Sequence, residues 1–195
     1  MPRAAVLIDG GNLRVLAKKA GFAYTPDFIE KIAHGCCHGH EDVFRILYYD
    51  CAPYTGTAKL PVSGTTREFT GNDAWMKQLA AKDLFAVRRG VLKFRGFKPK
   101  KGLAGPPKTD DDFSPDFEQK GVDMRIGLDI ATFSVTRAVD RIVLISADTD
   151  CIPALKHGRK SGLQAVLIRF PKCRLSQELL AHVDFTREVK WPGKA

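Results

Sequence analysis

The chain has 195 residues, of which 44% are hydrophobic and 27% are charged, and its formal net charge is +9. The length suits one domain over residues 1–195, and the composition is that of a folded protein rather than a disordered one. No apolar run reaches the roughly 20 residues that span a bilayer, so we expect no membrane association. The N-terminal residues carry no secretory signal, and the five cysteines form no regular framework. We therefore expect a cytoplasmic protein with reduced thiols.

Strand and helix signals alternate through the first half of the chain. The predicted elements are, in order, a strand over 4–9, a helix over 12–19 capped by Asn12, a helix from Thr25 to about Gly35, a strand over 43–51, a turn-rich stretch without an assignment over 58–71, a helix over about 73–82, and extended segments at 85–87 and 91–97. The two extended segments form either one bent strand or a short ribbon.

Residues 98–119 are rich in proline and glycine and change sign from basic to acidic, which predicts a mobile loop. The elements predicted after it are a helix over 122–136, a strand over 141–147, a helix with Pro153 in its first turn, a strand over 164–170 and a helix over 176–182. This alternation predicts an α/β fold with a mainly parallel central sheet flanked by helices on both faces.

Two of the predicted strands end on aspartate. The first apolar run stops at Asp9, and the run over 142–145 leads through Ser146 to Asp148 and Asp150. Ligands bind at the carboxyl ends of strands in such sheets, so these side chains can converge. Clustered carboxylates repel one another unless a cation lies between them, and hard divalent cations take oxygen ligands. A helix capped by Asn12 leaves the acid at the end of the first strand unexplained, and capping after 142–145 explains one of the two acids there but not both.

A further acidic position opens the helix over 122–136. Asp123 lies in its first turn, where it either complements the helix dipole or joins the strand-end acids. Asp129 lies about 120° around the helix from Asp123, so the two cannot share a tight face. A salt bridge with Arg125 is an alternative role for Asp129. We favour Asp123 as a ligand.

Cations are concentrated between residues 84 and 109, where there is no acid. Together with the acidic pocket, they indicate metal-assisted chemistry on a phosphate polymer. Phe94 and Phe97 alternate with these cations, which suits base stacking, although alternating aromatic residues more often belong to a core. The predicted nucleic-acid contacts are Arg88, Arg89, Lys93, Arg95, Lys98, Lys100, Lys101 and Lys120.

Histidine and cysteine are also concentrated between His34 and His40. Structural zinc sites need two separated pairs of ligands, and this run offers one short cluster. We expect adventitious metal binding there rather than a native zinc site.

Three motifs in a fixed order resemble a known family. With Asp9-Gly-Gly-Asn12, Lys120-Gly-Val-Asp123 and Ser146-Ala-Asp-Thr-Asp150, the chain resembles the NYN domain, a PIN-like nuclease group that includes the bacterial LabA-like proteins. The resemblance covers roughly residues 3–190. It implies a three-layer Rossmann-like (PIN-like) fold, a Mg²⁺ or Mn²⁺ site, and cleavage of single-stranded or structured RNA.

The resemblance also assigns residues by position. The catalytic set it implies is Asp9, Asn12, Asp123, Asp148 and Asp150. Asp9, Asp123 and Asp148 would hold the metal, and Asp129, Ser146 and Thr149 would surround it. Ala147 and Cys151 stand where the family usually has glycine and an aromatic residue, and neither change removes a carboxylate.

These observations lead to a metal-dependent endoribonuclease as the first hypothesis. The main alternative is a catalytically weak or inactive member that binds RNA or a protein as a regulatory adaptor. A third class is a phosphotransferase of the haloacid-dehalogenase or Toprim type, which would need further acids at the first strand that this chain lacks. A homo-oligomer is compatible with the sequence, but no interface can be located from it.

Overall fold

A computed structural model describes residues 1–193, which divide into two compact units. The first unit contains Met1–Asp50, Ala74–Arg89 and 122–193, and the second contains Cys51–Asp73 and Gly90–Gly121. The single domain over 1–195 stays a prediction, and its last two residues lie outside the described part. No helix within residues 1–193 combines the length and apolarity needed to cross a membrane.

The helices and strands alternate largely as predicted. In chain order they are β1 (Arg3–Asp9), α1 (Gly10–Lys19), α2 (Pro26–Gly35), β2 (Asp42–Cys51), β3 (Gly56–Lys59), β4 (Thr66–Phe69), α3 (Ala74–Ala80), β5 (Phe85–Pro99), β6 (Phe113–Lys120), α4 (Val122–Thr136), β7 (Arg141–Ile145), α5 (Ile152–Lys160), β8 (Gln164–Arg169), α6 (Gln177–Leu180) and β9 (Phe185–Glu188).

The first unit is built on a mainly parallel sheet. Its strands follow the order β5-β2-β1-β7-β8-β9, with only the first residues of β5 belonging to this unit. β1 runs parallel to both β2 and β7, and β7, β8 and β9 are parallel in turn. Asp9 pairs with Tyr49, and Ile8 pairs with Ile145. The carboxyl ends of the three central strands therefore lie at one level.

Helices cover both faces of this sheet, which confirms the predicted α/β layering. Alternate residues of a strand point to opposite faces. Ala4, Val6 and Ile8 pack in a core cluster with residues of α1 and α2. On the other face, Tyr49 of β2 donates a hydrogen bond to Asp129 of α4, and α4 packs against α5.

The second unit is smaller and antiparallel. The rest of β5 pairs with β6, and β3 pairs with β4. Tyr54, Phe69, Phe94 and Phe117 form a cluster with ring centroids 5.5–5.8 Å apart. Phe94 is half-buried within this cluster, and its ring contacts support packing rather than base stacking.

The structure corrects the sequence prediction in three segments, 98–119, 58–71 and 185–188, and decides between the two alternatives for β5. The loop predicted over 98–119 is shorter in the structure, because Phe113–Lys120 form β6. β5 is one strand with an irregularity between Phe94 and Gly96, which resolves the choice between a bent strand and a ribbon. The turn-rich stretch 58–71 includes β4 and part of β3, and β9 was not predicted.

Candidate functional site

Asp9 ends β1 and begins the candidate site. It is 8% exposed, and its Oδ1 accepts a hydrogen bond of 3.0 Å from the backbone N–H of Asn12. Asp9 is therefore the N-cap of α1, and the sequence prediction that Asn12 caps this helix is wrong. The helix begins at Gly10 because a strand-end carboxylate reaches the free amides of its first turn.

Ser146 ties the end of β7 to the end of β1. Its hydroxyl donates to Oδ2 of Asp9 over 3.1 Å and accepts from the backbone N–H of Asp148 over 3.1 Å. The register of the two strands explains the contact. Ile8 pairs with Ile145, and the residues that follow them are Asp9 and Ser146 respectively. Ser146 is 2% exposed, so this link is shielded from water.

Asp123, Asp148 and Asp150 come together beside this link. Each offers one carboxylate oxygen, and the three oxygens lie within 4.8 Å of one another. Asp148 caps the short 3-10 turn Thr149–Cys151 by accepting from the N–H of Asp150 over 2.9 Å. Each carboxylate oxygen carries two lone pairs, so this cap leaves acceptor positions free for another ligand.

The electrostatics of the cluster show that its carboxylates repel one another. Burial raises the pKa of Asp9, and the charge of Asp148 raises it further, while hydrogen bonds from Asn12 and Ser146 lower it. Burial also raises the pKa of Asp123, and the charges of Asp148 and Asp9 add to that effect. A divalent cation among these groups would remove the repulsion, and an all-oxygen donor set fits Mg²⁺ or Mn²⁺.

Asp129 does not join this group of three oxygens. Its carboxylate accepts from the Tyr49 hydroxyl over 2.8 Å and from Nε of Arg88 over 3.1 Å. Burial raises the pKa of Tyr49, with Asp129 contributing. Asp129 thus anchors α4 to the sheet and holds Arg88, which the sequence assigned to nucleic-acid contact.

The sequence reasoning missed a second polar cluster next to the site. Asp50, at 1% exposure, accepts from the Tyr48 hydroxyl over 2.9 Å and forms an ion pair with Arg14. The Tyr24 hydroxyl lies 2.9 Å from that of Tyr48 and 3.1 Å from the carbonyl oxygen of Gly10. The sequence did contain a pattern that points to this cluster. An apolar run ends at Asp50, just as the apolar strand β1 ends at Asp9.

The guanidinium of Arg14 also lies over two aromatic rings. It is 5.4 Å from the centroid of Tyr24 and 5.9 Å from that of Trp75. The side chain of Arg14 is 42% exposed, whereas that of Asp50 is 1% exposed. Asp50 and the rings of Tyr24 and Trp75 therefore hold the guanidinium of Arg14 in place while it still reaches solvent. Arg14 lies one helical turn after Gly10.

Thr149 and Cys151, which flank Asp150, differ in exposure. Thr149 is exposed in the 3-10 turn that follows Asp148, and the residue after Asp150, Cys151, is buried at 1% exposure. Burial raises the pKa of the Cys151 thiol to about 12, and the charges of Asp123 and Asp148 contribute. The Cys151 thiol beside these acids is therefore neutral.

Several of the predicted nucleic-acid contacts already pair with acids. Within the second unit, Arg95 lies 3.3 Å from Glu118, Lys120 also pairs with Glu118, and Lys98 pairs with Asp116. Exposed pairs of this kind contribute only about 0–1 kcal/mol, so a phosphate can displace them. Lys93, Lys100 and Lys101 are also exposed. The charge of Lys93 acts on Glu118, and that of Lys100 acts on Asp112.

Within residues 1–193, the side chains between His34 and His40 do not bring three potential metal ligands together. Cys36 is fully buried in the hydrophobic core, and burial raises the pKa of Cys37 to about 11. The His38 and His40 rings stack on each other at 5.3 Å. Among residues 1–193 the only group suited to a metal ion is Asp123, Asp148 and Asp150.

Comparison with known proteins decides the family. The family model of the NYN domain matches residues 3–187. The chain belongs to the NYN domain family. This NYN domain is also similar to the crystal structure of a protein of unknown function, VPA0982, from Vibrio parahaemolyticus RIMD 2210633. The two are 16% identical, the match covers 96% of this chain and 92% of that one, and the TM-score is 0.55, which shows a shared fold. No curated protein matches the NYN domain described here.

Proposed function

We propose that this NYN domain is a metal-dependent endoribonuclease that hydrolyses RNA phosphodiester bonds at the carboxyl edge of its sheet. Membership of a nuclease-like family supports the reaction class. The observation that carries the proposal is the convergence of Asp123, Asp148 and Asp150 within 4.8 Å, next to the buried Asp9. Carboxylates held this closely without a counter-charge raise the free energy of the fold, which favours a role in binding a cation.

Asp9, Asp123 and Asp148 would hold one or two Mg²⁺ or Mn²⁺ ions, with Asp150 at the exposed side. A bound divalent ion would lower the pKa of a water molecule and neutralise charge on the phosphate and the leaving oxygen. The chain's own residues position the acids. Ser146 fixes one oxygen of Asp9 and the backbone of Asp148 at once, so the ends of β1 and β7 keep a constant separation.

Exposed cations of each unit would attract the RNA. Arg14 is partly exposed beside the turn that carries Asp9, and its guanidinium suits a phosphate oxygen. In the second unit, the exposed Lys93, Lys100 and Lys101 would add sequence-independent attraction to the RNA backbone. Such contacts bind phosphate and carry no base specificity by themselves.

The experiment that tests this function is cleavage of a labelled single-stranded RNA and its DNA equivalent in EDTA, Mg²⁺ or Mn²⁺. Wild type is compared with Asp9→Asn, Asp148→Asn and the control Asp42→Asn, which changes an acid at the start of β2. We expect metal-dependent RNA cleavage by wild type and Asp42→Asn, and a loss of at least about 100-fold in both site variants.

Two outcomes would contradict the proposal. Cleavage that persists equally in Asp9→Asn and Asp148→Asn would show that another site, or a contaminating nuclease, carries the activity. RNA binding without cleavage in any metal, equal in all four proteins, would favour the regulatory adaptor. The unfolding midpoint of each variant, measured alongside, separates loss of chemistry from loss of fold.

A further inference from the structure

Helix α4 carries hydrophobic residues on both of its faces. Val122, Ile126, Ile130 and Phe133 are buried against the rest of the first unit. On the outer side, Met124 is 70% exposed, Leu128 is 60% exposed and Val135 is 80% exposed. A surface helix normally presents charged and polar residues to water, and a helix that is apolar all round is normally buried.

The rest of the outer face of α4 also lacks charge. Its other exposed residues are Thr132 and Thr136, whose hydroxyls donate to the carbonyl oxygens of Leu128 and Thr132 over 2.8 and 2.9 Å. With these hydroxyls bonded to the helix, both threonines present mainly methyl groups. All 15 residues of α4 are described, and its three charged residues are each half-buried. Every residue of α4 that is fully in the exposed class is therefore hydrophobic or a threonine, on a protein of net charge +9.

The spacing along this face suits a helix that packs against its own copy. Met124, Leu128, Ala131 and Val135 are separated by four, three and four residues, which places them within about 60° on one side of the helix. This series reads the same in both directions. Two copies related by a two-fold axis could therefore pair Met124 with Val135 and Leu128 with Ala131, as an isologous interface requires.

We infer that the outer face of α4 is a homodimer interface of this protein. The exposed fractions of Met124, Leu128 and Val135 correspond to roughly 350 Å² on one copy, within the size range of functional patches. Two copies would bury about 700 Å² from these side chains alone, more than half of the roughly 1,200 Å² that small stable interfaces bury. An uncharged face offers nothing to RNA phosphates, and it lacks the lysines and arginines of membrane-surface helices.

Sedimentation velocity of the full chain from about 1 μM to about 100 μM, in low and high salt, tests this interface. We expect wild type to move from 21.6 kDa towards twice that mass as concentration rises. Leu128→Glu should weaken dimerisation by at least about 100-fold, because each substitution occurs twice in a two-fold interface. Val15→Glu is the matched control, since Val15 is 52% exposed on α1.

The inference does not depend on nuclease activity, and its outcomes are independent of the cleavage assay. A second variant, Val135→Glu, should behave like Leu128→Glu, and both should unfold like wild type because the altered side chains are exposed. Wild type that stays monomeric at every concentration would overturn the inference. A dimer that persists unchanged in Leu128→Glu and Val135→Glu would overturn it as well.

Discussion

Replacing Gly10 by alanine should strain the turn that presents Asp9. A Cβ at Gly10 would lie 2.3 Å from the hydroxyl oxygen of Tyr48, 2.4 Å from its ring carbon Cζ and 2.9 Å from Oδ2 of Asp50. Tyr48 is fully buried, and its hydroxyl is bonded to both Tyr24 and Asp50, so the ring has little room to move. The helix must therefore shift away from β2 by about 1 Å to restore ordinary contact distances.

The expected cost follows from this geometry. Overpacking of a buried contact costs about 1–3 kcal/mol, and weakening one buried hydrogen bond adds about 1 kcal/mol. The higher helix propensity of alanine offsets at most about 1 kcal/mol. We expect Gly10→Ala to lower the free energy of unfolding by roughly 2 kcal/mol. Tyr48→Phe should not rescue it, because the ring carbon itself is too close.

Urea unfolding of Gly10→Ala and of a matched variant, Gly127→Ala, measures this effect. Gly127 lies inside α4, and a Cβ there would meet only the Cβ of Ala154 at 3.6 Å, an ordinary contact. That substitution should therefore stabilise the protein by about 0.5–1 kcal/mol. The two variants should change stability in opposite directions. If Gly10→Ala were as stable as wild type, the close packing of α1 on Tyr48 would be refuted.

Three further predictions concern charge. Burial acts to raise the pKa of Glu41, but hydrogen bonds from the partly buried Arg141 and Arg187 and from a backbone amide hold it at about 2, below its ordinary 4.5. The stabilisation from ionised Glu41 is therefore present above about pH 4.5 and is lost as the pH falls towards 2. Glu41→Gln should lower the free energy of unfolding, measured with urea at neutral pH, by about 3 kcal/mol. An unchanged unfolding midpoint would contradict this prediction. Changing Lys93, Lys100 and Lys101 together to alanine should weaken RNA binding and flatten its salt dependence in fluorescence anisotropy, whereas an unaltered salt slope would remove them from the RNA contact surface. Asp123→Asn should raise the unfolding temperature in EDTA by relieving repulsion, and a lower temperature would show that the charge of Asp123 stabilises the metal-free fold.

Segments with a strong local pattern were predicted well from the sequence. The helix over 122–136 has the predicted bounds, and β1 and β8 agree within one residue. β6 was missed because Pro115 and its polar neighbours suggested a loop. In the structure, Pro115 lies opposite Phe97 in a strand that pairs only with β5, and such edge strands tolerate proline.

Only the site residues that follow directly from the ends of apolar strands were predictable from the sequence. Asp9 and Asp148 each follow a buried apolar strand, and parallel pairing then brings them to one edge. The ion pair of Asp50 with Arg14 joins residues 36 apart and depends on the register between β1 and β2, which local patterns do not specify. The bond from Asp129 to Arg88 likewise depends on how α4 packs against the sheet.

Titration of Mn²⁺ into RNA-free protein, followed by electron paramagnetic resonance, tests the acidic centre most directly. Wild type and the control Asp42→Asn should bind Mn²⁺ with the same affinity, and Asp148→Asn should lose at least about tenfold, since it removes one of three converging carboxylates. Equal Mn²⁺ binding by wild type and Asp148→Asn would contradict a cation site formed by Asp123, Asp148 and Asp150.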